Sequence, residues 1–127
     1  MPNWDKAADA PATVWPQEIR VRNAGAALEI DFEDGAAFTM SAEYLRIESP
    51  SAEVQGHGPG QRKLVTGVRN VTIAAVEPVG NYAVRLCFSD GHDTGLYSWT
   101  YLYELGRDHD TRWEKYLASL AAAGRVR

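Results

Sequence analysis

Cysteine is almost absent from this chain: Cys87 is the only one among 127 residues. A lone thiol excludes an intrachain disulfide and any four-cysteine zinc or iron-sulfur site within one copy of the chain, and it fits a reducing cytoplasm. Long apolar runs are missing too. No stretch approaches the roughly 18 residues of a membrane span, and the N-terminus lacks the charged-then-apolar layout of a signal peptide. The expectation is a soluble cytoplasmic protein with no membrane partner. Charge of one sign is gathered nowhere: 13 Lys and Arg stand against 17 Asp and Glu, a net charge of −4. The signs are interspersed, which leaves no electrostatic footprint for nucleic acid. Histidine is scarce as well, so metal and acid-base chemistry would fall to His57, His92 and His109.

What the chain does have is a repeat. Ala27-Leu28-Glu29-Ile30-Asp31-Phe32-Glu33-Asp34-Gly35 is matched by Ala83-Val84-Arg85-Leu86-Cys87-Phe88-Ser89-Asp90-Gly91, and the copies go on to Tyr44-Leu45 and Tyr101-Leu102. Leu28, Ile30 and Phe32 alternate, as do Val84, Leu86 and Phe88, which is the period of a strand with one buried face. Asp-Gly then supplies the positive φ of a tight hairpin. The expected fold class is α+β: two repeated β-hairpin and short-helix units forming small antiparallel sheets, with a C-terminal amphipathic helix. Phe32 and Phe88 should be buried at equivalent places. The length suits one domain, able to bury about two thirds of its unfolded surface. Residues 1–14, with Pro2 and Pro11 and no apolar period, read as a flexible arm, and 15–127 as that single domain, onto which Trp15 should dock.

Local signals set the boundaries. Ile19 and Val21 alternate with Arg20 and Arg22 as a first strand. Ser41 caps a helix from about Ala42 to Glu48. From Ser49 to Arg62, Pro50, Gly56, Gly58, Pro59 and Gly60 read as a long loop with neither helix nor strand through it, and such loops often carry function. Asn70 to Glu77 and Asn81 to Phe88 alternate around Pro78-Val79-Gly80 as a hairpin. Ser98 caps a helix carrying Trp99, Leu102 and Leu105, and Gly106 should stop it. Thr111 and Glu114 have capping-box spacing, and Trp113, Tyr116, Leu117 and Leu120 recur at helical intervals in a last helix ending near Gly124.

Chemistry-bearing groups are few. His92 follows Asp90-Gly91 and has Asp93 and Thr94 beside it, side chains that either orient an imidazole or satisfy turn backbone. His57, between Gly56 and Gly58, is free either to reach a ligand or to lie in solvent. His109, between Asp108 and Asp110, reads as part of a helix cap. His92, His57 and Asp93 are therefore candidate metal ligands. Ser49 and Ser51 lack a nucleophile elbow and read as closing the helix and starting the loop. Gly56-His57-Gly58-Pro59-Gly60 lacks the Lys-Ser/Thr ending of a phosphate loop. Cys87 lies on the strand face opposite Val84, Leu86 and Phe88, as a packing residue or a half-exposed thiol. With Trp99 and Leu102 in the core, Tyr101 and Tyr103 become candidates for a partner-facing edge, beside Gln55, His57 and Arg62 of the loop. No catalytic constellation is present, and the chain is not expected to be an enzyme.

Three segments carry a resemblance: Leu45-Arg46-Ile47-Glu48-Ser49-Pro50-Ser51-Ala52-Glu53-Val54-Gln55-Gly56-His57-Gly58, Gly80-Asn81-Tyr82-Ala83-Val84, and Asp90-Gly91-His92-Asp93-Thr94-Gly95-Leu96-Tyr97-Ser98-Trp99. From about Trp15 to Gly124 the chain resembles the small bacterial family of unknown function grouped with the gamma-butyrobetaine hydroxylase-like N-terminal domain. The resemblance implies an α+β domain found alone in bacteria, fused before the catalytic domain of iron- and 2-oxoglutarate-dependent carnitine-pathway hydroxylases, and attached to some iron-sulfur carrier P-loop ATPases. In those hydroxylases the domain holds structural zinc through three cysteines and a histidine, which match Ser49, Ser51, Val54 and His92 here. Hydroxyls and a valine do not replace thiolates, so structural zinc is not expected. The hydroxylase iron site lies in a domain this chain lacks. What the resemblance carries over is proximity of the loop after the first helix to the tip of the second hairpin, which would bring Ser49, Ser51, Glu53, His57 and His92 together, either as a weak oxygen and imidazole site for a divalent ion or as a metal-free hydrogen-bonded replacement. Two functions are compatible with this. One is a non-catalytic binding or adaptor domain contacting a cytoplasmic protein partner. The other is a metal-binding accessory protein linked to iron or iron-sulfur chemistry, with a weakly held divalent ion such as iron on His57 and His92 with Glu53 or Asp93.

Overall fold

The alternating apolar residues build two three-stranded antiparallel sheets of one design. The computed structural model describes residues 14–55 and 63–127. Strands β1 (Pro16–Arg22), β2 (Ala27–Phe32) and β3 (Ala37–Ser41) form one sheet in that order, and β4 (Ile73–Val79), β5 (Ala83–Phe88) and β6 (Leu96–Ser98) form the other. Each sheet runs into a helix, α1 (Ala42–Ile47) or α3 (Trp99–Arg107); α2 (Ala52–Gln55), α4 (His109–Ala122) and a 3-10 turn at Asn23–Gly25 complete the described residues. The α+β class and the repeat expected from sequence are both present.

The copies agree bond by bond. The Phe32 amide donates to Ala36 O at 2.8 Å and the Phe88 amide to His92 O at 2.9 Å, while Gly35 and Gly91 donate back to Phe32 O and Phe88 O at 3.0 Å each. Gly35 and Gly91 have φ of 94° and 89°, the left-handed backbone that a three-residue hairpin loop needs and glycine takes without strain. Ser41 Oγ accepts from the Tyr44 amide at 3.0 Å and Ser98 Oγ from the Tyr101 amide at 3.1 Å, so both helices start on the same cap. Phe32 and Phe88 are 1% and 4% exposed.

The two units face each other through reciprocal contacts. Tyr44 Oη of α1 donates to Leu105 O of α3 at 2.6 Å, and Tyr101 Oη of α3 donates to Glu48 O at the end of α1. Tyr44 and Tyr101 are equivalent in the two copies, as are Glu48 and Leu105. Contacts of this kind, i with j and j with i, are what a two-fold relation generates. Leu28, Ile30, Leu45, Leu86 and Leu102 meet in one core between the sheets and helices.

Several boundaries differ from the sequence reading, each for a physical reason. Helix α2 lies inside the expected loop because Ser51 caps it, its O accepting from the Val54 and Gln55 amides at 3.0 and 2.9 Å, while Val54 is buried. Helix α3 runs through Gly106 to an end at Asp108. Gly106 is there for space rather than for termination, since a Cβ would lie 2.3 Å from Phe38 Cγ. Helix α4 starts at His109, so Thr111 sits inside it rather than capping it. The His109 ring lies nearly parallel to Trp113 and edge-on to Tyr44, at 6.4 and 4.6 Å between centroids. Strand β4 begins at Ile73 rather than Asn70. Trp15 is exposed, and its neighbour Val14 packs into the core instead. Residues 1–13 of the expected arm, and the candidates His57 and Arg62, lie outside the described residues. Among the described residues no helix is long and apolar enough to cross a membrane.

Candidate functional site

If the repeat accounts for the scaffold, chemistry belongs where the copies diverge. In the first copy Phe38 of β3 sets its ring edge-on against Phe32 and Tyr103, at 6.0 and 5.5 Å, and lies over Gly106. In the second copy the bulk is exchanged. Gly95 stands where the ladder would call for Phe38's counterpart, and Ser49 stands where the first copy's partner is Gly106. A Cβ on Gly95 would come within 2.7 Å of Ser49 Oγ. One extra residue in the second hairpin takes residues 93–95 out of the β5–β6 ladder, whose register ends at Arg85 opposite Leu96. An aromatic cluster in one unit is thereby replaced by a polar one in the other.

That polar cluster joins α2 to the second hairpin. Ser49 Oγ lies 2.8 Å from His92 Nε2, and Glu53 Oε2 lies 3.2 Å from His92 Nδ1. Ser51 Oγ is 2.7 Å from Thr94 Oγ1, which donates to Glu53 Oε2 at 2.6 Å. The backbone closes the set, with the Ser51 amide on Ser49 Oγ and the Glu53 amide on Ser51 Oγ, both at 3.2 Å. One proton arrangement satisfies every bond: a neutral His92 carries its hydrogen on Nδ1 toward Glu53, and the Ser49 hydroxyl donates to Nε2. Burial and the nearby Arg46 charge push the His92 pKa below its ordinary value despite Glu53. The Thr94 hydrogen bond, aided by His92, holds Glu53 below the usual carboxylate range.

A second layer fixes the hairpin tip. Asp90 accepts from the His92 amide at 3.1 Å and from Arg46 Nε at 2.8 Å. In the first copy Asp34 accepts from the Ala36 amide and from Tyr103 Oη in the same way. Arg46 and Tyr103 occupy equivalent helix positions, so the sequence difference converts a neutral clasp into a charged one. Arg46 Nη1 is buried without a hydrogen-bond partner among the described residues. Beside it a cavity of about 470 Å³ opens, bordered by Arg46, Glu53, Lys63, Asp90, His92 and Asp93 among others.

The sequence-derived candidates thus separate. His92 and Glu53 come together. Asp93 turns outward to Arg85, at 3.8 Å. Gln55 donates to Ser49 O at 2.8 Å and braces the end of α1. Tyr101 and Tyr103 are half-buried, with Tyr103 committed to the Phe32–Phe38 cluster and the Tyr101 hydroxyl to Glu48 O. The resemblance had brought Ser49 and Ser51 to this spot with His92 and Glu53, and the structure joins them there; the sequence reading missed Arg46, for which alignment of the two copies, with Arg46 against Tyr103, was the signal available. Ser49, His92 and Glu53 are connected in the order nucleophile, base and acid. Ser49, however, is 0% exposed, so no substrate atom can approach it in this conformation. The four positions that hold zinc in the resembling hydroxylase domains do not fit that ion here. Two are hydroxyls bonded to His92 and Thr94, the third is the apolar Val54, and both His92 nitrogens are engaged. Among the described residues no group of three or more His, Cys, Asp or Glu side chains is placed to hold a metal.

Comparison with known proteins places this geometry. A family model described as gamma-butyrobetaine hydroxylase-like, N-terminal, matches residues 19–103. Two solution NMR structures are similar to the chain. One is 46% identical, covers 90% of each chain and has a TM-score of 0.78. The other is 48% identical, covers 100% of this chain and 89% of its own, and has a TM-score of 0.79. A crystal structure of a protein with unknown function of the DUF971 family, from Acidithiobacillus ferrooxidans, is 41% identical over 72% of this chain and 91% of that one, with a TM-score of 0.60. No curated protein matches.

Proposed function

Because the chain belongs to the gamma-butyrobetaine hydroxylase-like N-terminal family, we propose that it is a non-catalytic binding domain, and that the corner between α2 and the second hairpin contacts a cytoplasmic protein partner. The observation that carries this reading is the fate of the polar cluster. Its hydroxyls and imidazole are consumed by one another in the interior, which leaves no reactive group presented to solvent and makes the cluster a brace. What the brace holds outward is a pair of carboxylates, Glu53 and Asp93, with side chains 63% and 53% exposed. A rigidly held acidic corner beside Gln55 suits a partner face with basic side chains. The metal-accessory alternative would have to break the Ser49–His92 or Glu53–His92 contact to free a nitrogen.

The test is site-specific photo-cross-linking of the full chain in its host. A cross-linker replacing Asp93, and another replacing Glu53, should give adducts with one and the same protein, whereas one replacing the exposed Thr39 of β3 should not. Asp93→Arg should weaken that capture while leaving the thermal midpoint unchanged. Equal adducts from position 39, or undiminished capture by Asp93→Arg, would place the contact elsewhere.

A further inference from the structure

A larger cavity shares the segment 63–65 with the cavity at the acidic corner. It measures about 520 Å³ and is walled by the end of α1, the segment 63–65 and one face of α4, within the range of about 300–1,000 Å³ typical of small-molecule sites. Asp108, Thr111, Arg112, Lys115, Tyr116 and Ser119 recur at the helical interval, so a single stripe of the helix supplies that wall. The facing segment is tied in place before any ligand arrives. Tyr116 Oη donates to Val65 O at 2.8 Å, and Arg125 Nη2 to Thr66 Oγ1 at 3.0 Å.

The lining divides by chemistry. Ile47, Leu64, Val65 and Tyr116 offer apolar surface, and Leu64 is exposed although it is a leucine. Both carboxylates are already answered: Glu48 by Arg112 at 3.1 Å, and Asp108 by a two-pronged contact from Arg107 at 2.9 Å for each oxygen. Lys63 and Lys115 are exposed and make no ion pair among the described residues. Two ammonium groups therefore share a cavity whose acids are neutralised.

We propose that this cavity binds a small organic anion with an apolar body, its carboxylate or phosphate head taken by Lys63 and Lys115 and its body laid against Ile47, Leu64, Val65 and Tyr116. Neither feature suffices without the other. An ammonium in water attracts any anion weakly, and it is the adjoining apolar wall that would retain an amphipathic one.

Amide chemical-shift titration of the full chain at low salt tests this, with octanoate and phenyl phosphate as probes for the two head groups. Either probe should produce saturable shifts confined to residues 63–65 and 111–119. Lys63→Gln combined with Lys115→Gln should weaken binding about tenfold. Ser119→Trp, at an exposed helix position, should abolish binding by filling the space with the charges intact. The proposal is overturned if neither probe saturates. It is also overturned if octanol binds as tightly as octanoate, if inorganic phosphate matches phenyl phosphate, or if both variants bind unchanged.

Discussion

A neutral imidazole has one donor and one acceptor, and His92 uses both inside the protein, toward Glu53 and Ser49. Protonation would add a second donor facing a hydroxyl that already accepts from the Ser51 amide. Burial and the Arg46 charge oppose it further, while Glu53, Asp90 and Asp93 favour it less strongly. The folded pKa therefore lies below the unfolded value of about 6.5. Below that pH the unfolded chain binds the proton more readily than the folded one. Stability is held above about pH 6.5 and lost as pH falls through the folded pKa. Urea midpoints should decline over that window, and His92→Gln should flatten the decline. Ser49→Ala removes the donor to Nε2 and the acceptor for the Ser51 amide, so it should cost about 1–3 kcal/mol at neutral pH. Because hydroxyls and valine stand where thiolates would be needed, elemental analysis after dialysis against a mild chelator should find no stoichiometric zinc.

At the level of elements, legibility followed how local the determinant was. Both hairpins could be read because alternation and Asp-Gly lie within a few residues of the structure they specify. The caps Ser41 and Ser98 could be read for the same reason. Gly106 could not. As a sequence signal it is a helix stop, but its actual determinant is Phe38, a contact made only when the sheets and helices have assembled. Arg46 was missed likewise, since its bond to Asp90 joins residues that meet only in the assembled fold, whereas the resemblance had already placed Ser49 and Ser51 beside His92. His92 and Glu53 were legible through the family motif rather than through spacing. The Gly106 site allows two effects to be weighed by size. Gly106→Ala gains about 1 kcal/mol of helix propensity, but a Cβ 2.3 Å from the Phe38 ring forces repacking that typically costs about 1–3 kcal/mol. The expected net is destabilisation in urea denaturation, and Phe38→Leu in the same chain should relieve part of it.

Viewed whole, the molecule consists of two similar units, each of which completes the other. Tyr44 reaches the last turn of α3 and Tyr101 the last turn of α1, and the core runs through both sheets. Helix α4 belongs to neither copy, yet it covers the first unit. Arg112 pairs with the buried Glu48, and Arg127, beyond the helix, pairs with the buried Glu43 through two bonds of 3.0 and 2.8 Å. The end of the chain thus neutralises a carboxylate near its beginning, and losing that cation would strand a buried charge. A unit that opened alone would expose half of a shared core and orphan two tyrosine hydroxyls, so partial unfolding has little to recommend it energetically. The expected behaviour is a single transition. Tryptophan fluorescence of the Trp4→Phe, Trp15→Phe chain, which reports Trp99 and Trp113 in the second half and α4, should give the same urea midpoint as far-ultraviolet circular dichroism, which reports both sheets. Tyr44→Phe and Tyr101→Phe should each lower that common midpoint, by about 1 kcal/mol of stability, without separating the two probes. Midpoints that part company, in the parent or in either variant, would show that the reciprocal contacts join two domains rather than make one.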